Sequence, residues 1–240
     1  LASAFRLVVI SVISCTRFSA RPLFERGQPI ALERKARTRE GQIAWVEFGA
    51  GRARLIRDLG RIDNARDVSE ALTLERLGRR GFPQKVEEAA EQAAASPIEA
   101  ARQDLTGLPT FTVDPATARD FDDAVSARRE GDGLRLWIHI ADVSAFVRPG
   151  SILEKEAFLR ANSTYVPTSV EPMLPHSLSS GVCSLSPGDE RLAVTSEMLL
   201  SGSGEVTSAS FYRSRIRSDA RLDYDQLDQI FAGRESAPEI

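Results

Sequence analysis

Residues 134–143, LRLWIHIADV, alternate along a full strand length: Leu134, Leu136, Ile138 and Ile140 fall on one side, Arg135, Trp137 and His139 on the other. A repeat of two positions cannot serve a helix, whose faces recur every 3.6 residues, so this stretch reads as a strand with one covered face. The aliphatic row is the apolar side, and His139 points away from it. A strand of this kind needs neighbours. REGDG, at 129–133, is a plausible hairpin turn just before it. PTFTVD, at 109–114, is a short β-prone run. RLAVTSEMLL and EVTSASFYRSRIRS read as a further strand pair joined by SGSG. Between them, ILEKEAFLRAN reads as a helix with Ser151 as its N-cap. Residues 166–190, rich in Pro, Ser and Gly, read as a long loop, of a length that is uncommon unless it serves a site or is disordered.

The front of the chain is different. PIALER, GQIAWVEF and RARLIRDLG are short β-like runs separated by turn signals, which points to a small sheet or barrel. Arg34, Lys35, Arg37, Arg39, Arg52, Arg54 and Arg57 lie there with Trp45 and Phe48 among them. Basic residues interleaved with aromatics suit a single-stranded nucleic-acid platform, but the two rings suit the core of a small barrel equally well. Residues 64–103 are rich in Ala, Glu, Leu and Arg and read as two helical segments, the second running through PQKVEEAAEQAAASPIEAARQDL, with Gly81 and Pro83 between them.

The chain's net charge of −3 conceals an asymmetry: residues 1–60 hold 11 Lys and Arg against 5 Asp and Glu, a net of +6, so the remainder carries −9. A basic front beside an acidic rear fits a polyanionic partner, and ordinary surface charge fits as well. Two cysteines, Cys15 and Cys183, and two histidines, His139 and His176, form no CxxC or HExxH spacing, which argues against zinc. No apolar run is long enough to span a membrane. FRLVVISVISC has the outline of a weak export signal, and its Val, Ile and Leu read equally as a buried strand.

The densest chemistry lies in VDPATARDFDDAVS, residues 113–126, which holds Asp114, Asp120, Asp122 and Asp123. Carboxylates this close repel one another unless a cation compensates, and hard oxygen donors suit Mg2+, Mn2+ or Ca2+. The calcium-loop spacing fails: counted from Asp120, the sixth residue is Val125 rather than Gly and the twelfth is Gly131 rather than Glu. Magnesium held by few carboxylates keeps positions for water and phosphate oxygens, the arrangement of metal-assisted phosphodiester cleavage. The expected placement has Asp114 ending a strand and the other three on the loop after it. A solvated Asp-rich turn remains the alternative.

TFTVDPATARDFDDAVS, WIHIADVSAFV, NSTYVP, EPMLP, LSSGVCSLSPGDERLAV and FYRSRIRSDARLDYD, in this order over residues 105 to 235, resemble the catalytic domain of the ribonuclease II/ribonuclease R family. The resemblance implies a processive 3′→5′ exoribonuclease that hydrolyses single-stranded RNA to nucleoside 5′-monophosphates with Mg2+ as its only cofactor. It implies that Asp114, Asp120, Asp122 and Asp123 hold the metal and orient the attacking water, and that Tyr165 stacks on the 3′-terminal base. It implies an α+β chain of three parts: an oligonucleotide-binding-like barrel over 1–60, a helical connector over 61–105, and the first part of the mixed catalytic domain over 106–240. A cytoplasmic monomer with no membrane partner is the matching expectation. Cys183 is expected to be a buried small hydrophobe and His139 a hydrogen-bonded structural residue. The family's later arginine-containing segment, its downstream glutamate and its C-terminal RNA-binding barrel have no counterpart before Ile240, so the chain is expected to be the front of a longer enzyme. An inactive RNA-binding protein of the same fold and a Mg2+-dependent phosphatase acting on small molecules are the competing readings.

Overall fold

The computed structural model describes residues 4–14, 17–33, 38–49, 52–77, 81–97, 100–166 and 169–238. Cys15, Arg34, Lys35 and Arg37 lie outside the described residues. The chain divides into two compact units, Leu1–Gly81 with Asn162–Glu171, and Phe82–Ala161 with Pro172–Ile240.

In the first unit β1 (Ala4–Ser14), β2 (Arg17–Pro22), β3 (Ile30–Leu32), β4 (Gln42–Gly49) and β5 (Arg52–Arg61) close a barrel in the order β1-β2-β3-β5-β4. Every second residue of these strands turns inward, so Val8, Ile10, Ala44 and Val46 meet Ala20 and Ala53 in a packed interior. The stretch with the outline of an export signal forms β1. Helix α1 (Ala65–Leu77) covers one side of the barrel by setting Ala71 against Leu7 and Ile43. Trp45 packs on this second cluster and Phe48 on the barrel interior, both half-buried, so the two rings serve the core. The helical stretch expected over 61–105 is divided: α1 goes with the barrel and α2 (Gln84–Ala95) with the second unit. A short hairpin, β10 (Thr164–Val166) with β11 (Ser169–Glu171), completes the first unit.

Helix α2 is shorter than expected. It stops at Ala95, where Ser96 precedes Pro97 and proline disfavours helical backbone in the residue before it. Gln103–Asp104, expected to be helical, is instead β6, an edge strand. The second unit is organised around a mixed sheet in the order β14-β7-β8-β9-β12-β13-β6. Its other members are β7 (Phe111–Asp114), β8 (Asp123–Glu130), β9 (Gly133–Ala141), β12 (Glu190–Leu200), β13 (Val206–Arg217) and β14 (Ala220–Asp223). β6 runs parallel to β13 and β14 parallel to β7, and the remaining pairs are antiparallel. β8 and β9 form the hairpin, with Gly131 at φ +61° in the first central position of its two-residue turn, as a type II′ turn requires.

β9 is indeed an alternating strand, but its covered face is the opposite one. Trp137 is 4% exposed and His139 0%, whereas Ile140 is 49% exposed and Leu134, Leu136 and Ile138 are half-buried. The covering comes from Leu105, Phe121 and Leu185, which cluster with Trp137, Ala124, Ala141, Ala193 and Ile216 of the sheet. His139 is accommodated there because its ring is fully engaged: Nε2 lies 3.1 Å from Ser126 Oγ and Nδ1 lies 2.8 Å from Thr195 Oγ1. Thr110 Oγ1, 2.7 Å from Ser126 Oγ, and Ser214 Oγ, 2.6 Å from Thr195 Oγ1, extend this into a line of buried polar contacts across the sheet.

Beside the sheet, α3 (Ile152–Arg160) begins at Ser151, whose hydroxyl accepts the Glu154 amide at 3.2 Å, the expected cap. The long segment 166–190 is more ordered than a plain loop, with β11 and a π-helical turn over Ser177–Val182. Leu178 and Cys183 from this segment pack with Val86, Ala90, Phe146 and Leu153 in the unit's second core. The last helix, α4 (Tyr224–Phe231), starts with a capping box between Asp223 and Gln226.

Candidate active site

The four aspartates lie along the connection from the end of β7 to the start of β8. Asp114 is the last residue of β7, Asp120 and Asp122 lie on the connecting loop, and Asp123 is the first residue of β8, one step further into the sheet than expected. Between Asp120 and Asp122, Phe121 turns inward and is 7% exposed among the apolar cluster under the sheet. Its backbone is tied on both sides: the Phe121 amide donates to Ser184 Oγ at 3.0 Å, and its carbonyl accepts the Leu185 amide at 2.9 Å. The Ala141 amide donates to the Asp122 carbonyl at 2.8 Å. Near the start of the loop, the Arg221 guanidinium donates to the carbonyls of Pro115 and Ala116 at 3.1 and 2.7 Å and lies 5.1 Å from the centre of the Phe121 ring.

Burial, with repulsion from Asp123 and Asp120, raises the Asp114 pKa above the ordinary aspartate value, against weaker opposition from Thr112 and Arg221. Burial, with repulsion from Asp120, Asp123 and Asp114, raises that of Asp122 as well. Asp122 is exposed as a residue, so water softens the repulsion it feels. Asp114 Oδ2 and Thr112 Oγ1 are buried without a partner in hydrogen-bond geometry. A buried carboxylate oxygen without a donor is costly, and a hard cation is one of the few groups that relieve both this and the crowding of negative charge. Among the described residues, no three carboxylate, imidazole or thiolate groups are already drawn together as a closed ligand set.

Tyr165 belongs to the other compact unit, on β10 opposite Val170, and is 60% exposed. Cys183 is a free thiol, 3% exposed, with its pKa pushed up to about 12 by burial, which suits a small core residue and not a nucleophile. His139 is held at about 4 by desolvation and is structural.

The same unit holds a buried ion pair that no sequence motif announces. Asp142, 2% exposed, accepts from Arg102 Nη2 at 2.7 Å and from Ser144 Oγ at 2.5 Å, with Arg213 Nε at 3.4 Å. Burial pushes the Asp142 carboxyl up, but the Ser144 and Arg102 hydrogen bonds and the two arginine charges more than offset it and leave it below the ordinary value. Arg102 stands 40 positions from Asp142, and no local spacing could have joined them.

An antiparallel-dominated sheet with four aspartates at one strand junction, in a chain that also forms a small closed barrel, has a counterpart among known proteins. The RNB domain matches residues 102–239, more than half of the chain, and the chain belongs to this ribonuclease II/ribonuclease R family. Ribonuclease R of Chlamydia pneumoniae is 41% identical over 202 residues, which cover 81% of this chain and 30% of that protein. The fold follows Mycoplasma genitalium RNase R, solved in complex with ribose-methylated single-stranded RNA, with a TM-score of 0.80 at 23% identity over 98% of this chain and 39% of the other. It also follows yeast Ssd1, described as a pseudonuclease, with a TM-score of 0.70 at 16% identity over 99% of this chain and 32% of the other. The chain thus spans about a third of the length of these relatives.

Proposed function

We propose that this chain carries the acidic site of a Mg2+-dependent 3′→5′ exoribonuclease that degrades single-stranded RNA to nucleoside 5′-monophosphates, acting in the cytoplasm as a monomer. The observation that carries the reading is the buried, unpartnered Asp114 Oδ2 among three further aspartates, in a chain of the ribonuclease II/ribonuclease R family. Asp114, Asp120, Asp122 and Asp123 would hold the metal, since hard carboxylate oxygens and the excess of negative charge fit Mg2+. Bound there, Mg2+ would supply charge neutralisation at the scissile phosphate and a water of lowered pKa. The chain's own contribution is to keep the carboxylates spaced and oriented, with Phe121 as the inward anchor of their loop. Tyr165, exposed on its hairpin, would offer a ring to the 3′-terminal base, a contact that tolerates any base.

The test is a single-stranded RNA labelled at its 5′ end and incubated with and without Mg2+. A ladder shortening from the 3′ end, dependent on Mg2+ and abolished by Asp122→Asn with RNA affinity retained, is the expected result. A ladder that survives Asp122→Asn would overturn the metal assignment. A second reading, an RNA-binding protein of the same fold without activity, draws support from the likeness to Ssd1 and from the open arrangement of the carboxylates. Tight RNA binding without cleavage under all divalent conditions would favour it.

A further inference from the structure

Asp120 lies within, and Asp122 directly follows, a three-residue stretch of loop, Arg119–Phe121, whose backbone is hydrogen-bonded to a distant segment. Ser184 is fully buried, and its single hydroxyl makes two bonds to this stretch: it accepts the Phe121 amide at 3.0 Å and donates to the Arg119 carbonyl at 3.3 Å. The next residue adds a third bond, from the Leu185 amide to the Phe121 carbonyl at 2.9 Å. Ser184 is itself held in place, because Arg191 Nε donates to its carbonyl at 2.8 Å and Ser186 Oγ donates to its hydroxyl at 3.2 Å. The segment runs close to the acidic site, since Ser184 and Leu185 both bond to the residue between Asp120 and Asp122.

We infer that Ser184 is a positioning residue for the acidic site, setting the spacing of Asp120 and Asp122 through the backbone between them. The inference rests on the metal-binding reading of these aspartates. A loop carrying mutually repelling carboxylates tends to spread, and hydrogen bonds to its backbone oppose the spreading without placing any charge near the cation. A hydroxyl is well suited because one oxygen both donates and accepts, so it can bridge the Arg119 carbonyl and the Phe121 amide at once.

Two readouts on the full chain test this without relying on cleavage. The first is amide hydrogen exchange at Phe121, and the second is Mn2+ affinity measured by electron paramagnetic resonance. Ser184→Ala is expected to speed Phe121 exchange about tenfold and weaken Mn2+ binding by a similar factor, in line with loss of roughly one buried hydrogen bond. Ser184→Cys, which keeps the size with a weak donor and acceptor, is expected to fall between alanine and the parent and serves if the alanine variant fails to fold. Ser214→Ala removes an equally buried hydroxyl, on β13, and is expected to lower thermal stability with Mn2+ affinity unchanged. Parent-like Phe121 exchange and Mn2+ affinity in a folded Ser184 variant would overturn the positioning role. So would a loss of Mn2+ affinity in Ser214→Ala equal to that in Ser184→Ala. No Mn2+ binding by the parent chain would instead sink the metal-binding reading on which the inference rests.

Discussion

His139 offers a quantitative test of the inverted sheet face. Its ring is fully buried between Ser126 and Thr195, and desolvation lowers its pKa from 6.5 to about 4. Both partners are hydroxyls that can turn to accept as well as donate, so the hydrogen bonds do not oppose protonation and desolvation carries the cost. Below the unfolded value of 6.5 the unfolded chain takes up a proton that the folded chain refuses. Stability is therefore lost as pH falls from 6.5 towards 4, and below 4 the loss is complete. Linkage gives a loss of about 2 kcal/mol between about pH 7 and about pH 5, and roughly 3 kcal/mol in total. The assay is urea unfolding followed by tryptophan fluorescence in a Trp45→Phe background, so that Trp137, buried in the same sheet, reports its unit alone. His139→Gln is expected to lower stability at neutral pH but to flatten its decline with acid by about 2 kcal/mol at about pH 5. The raised pKa values of Asp114 and Asp122 act in both proteins and cancel in the comparison. Parallel pH profiles for the two proteins would refute the buried, neutral imidazole.

The remaining predictions concern charge. The folded-state pKa of Asp114 is raised, so its ionisation destabilises the metal-free fold as pH climbs through that value; Asp114→Asn is expected to raise the metal-free melting temperature at neutral pH and to abolish any stabilisation by Mg2+, both read by calorimetry. Asp142 and Arg102 are 1% and 10% exposed at their side chains, so Arg102→Met strands a buried carboxylate and is expected to cost about 3 kcal/mol in urea unfolding of the same unit, whereas a cost below about 1 kcal/mol would mean that Arg213 and Ser144 suffice.

The local rules written into the chain reached far. A period of two at 134–140 specified a strand whatever surrounded it, and Ser151 before a helical run specified a cap. These are properties of neighbouring residues, and neighbouring residues are what a sequence presents. Which face of β9 is covered was decided elsewhere, because burial depends on the surface that arrives to cover a strand. Leu105, Phe121 and Leu185 gather with Trp137, and the hydroxyls of Ser126 and Thr195 satisfy the imidazole that alternation alone would have turned outward. The hold on the acidic loop was decided in the same way. Ser184 meets Phe121 across 63 positions of chain, a distance that only the closing of the sheet's connections brings within a hydrogen bond.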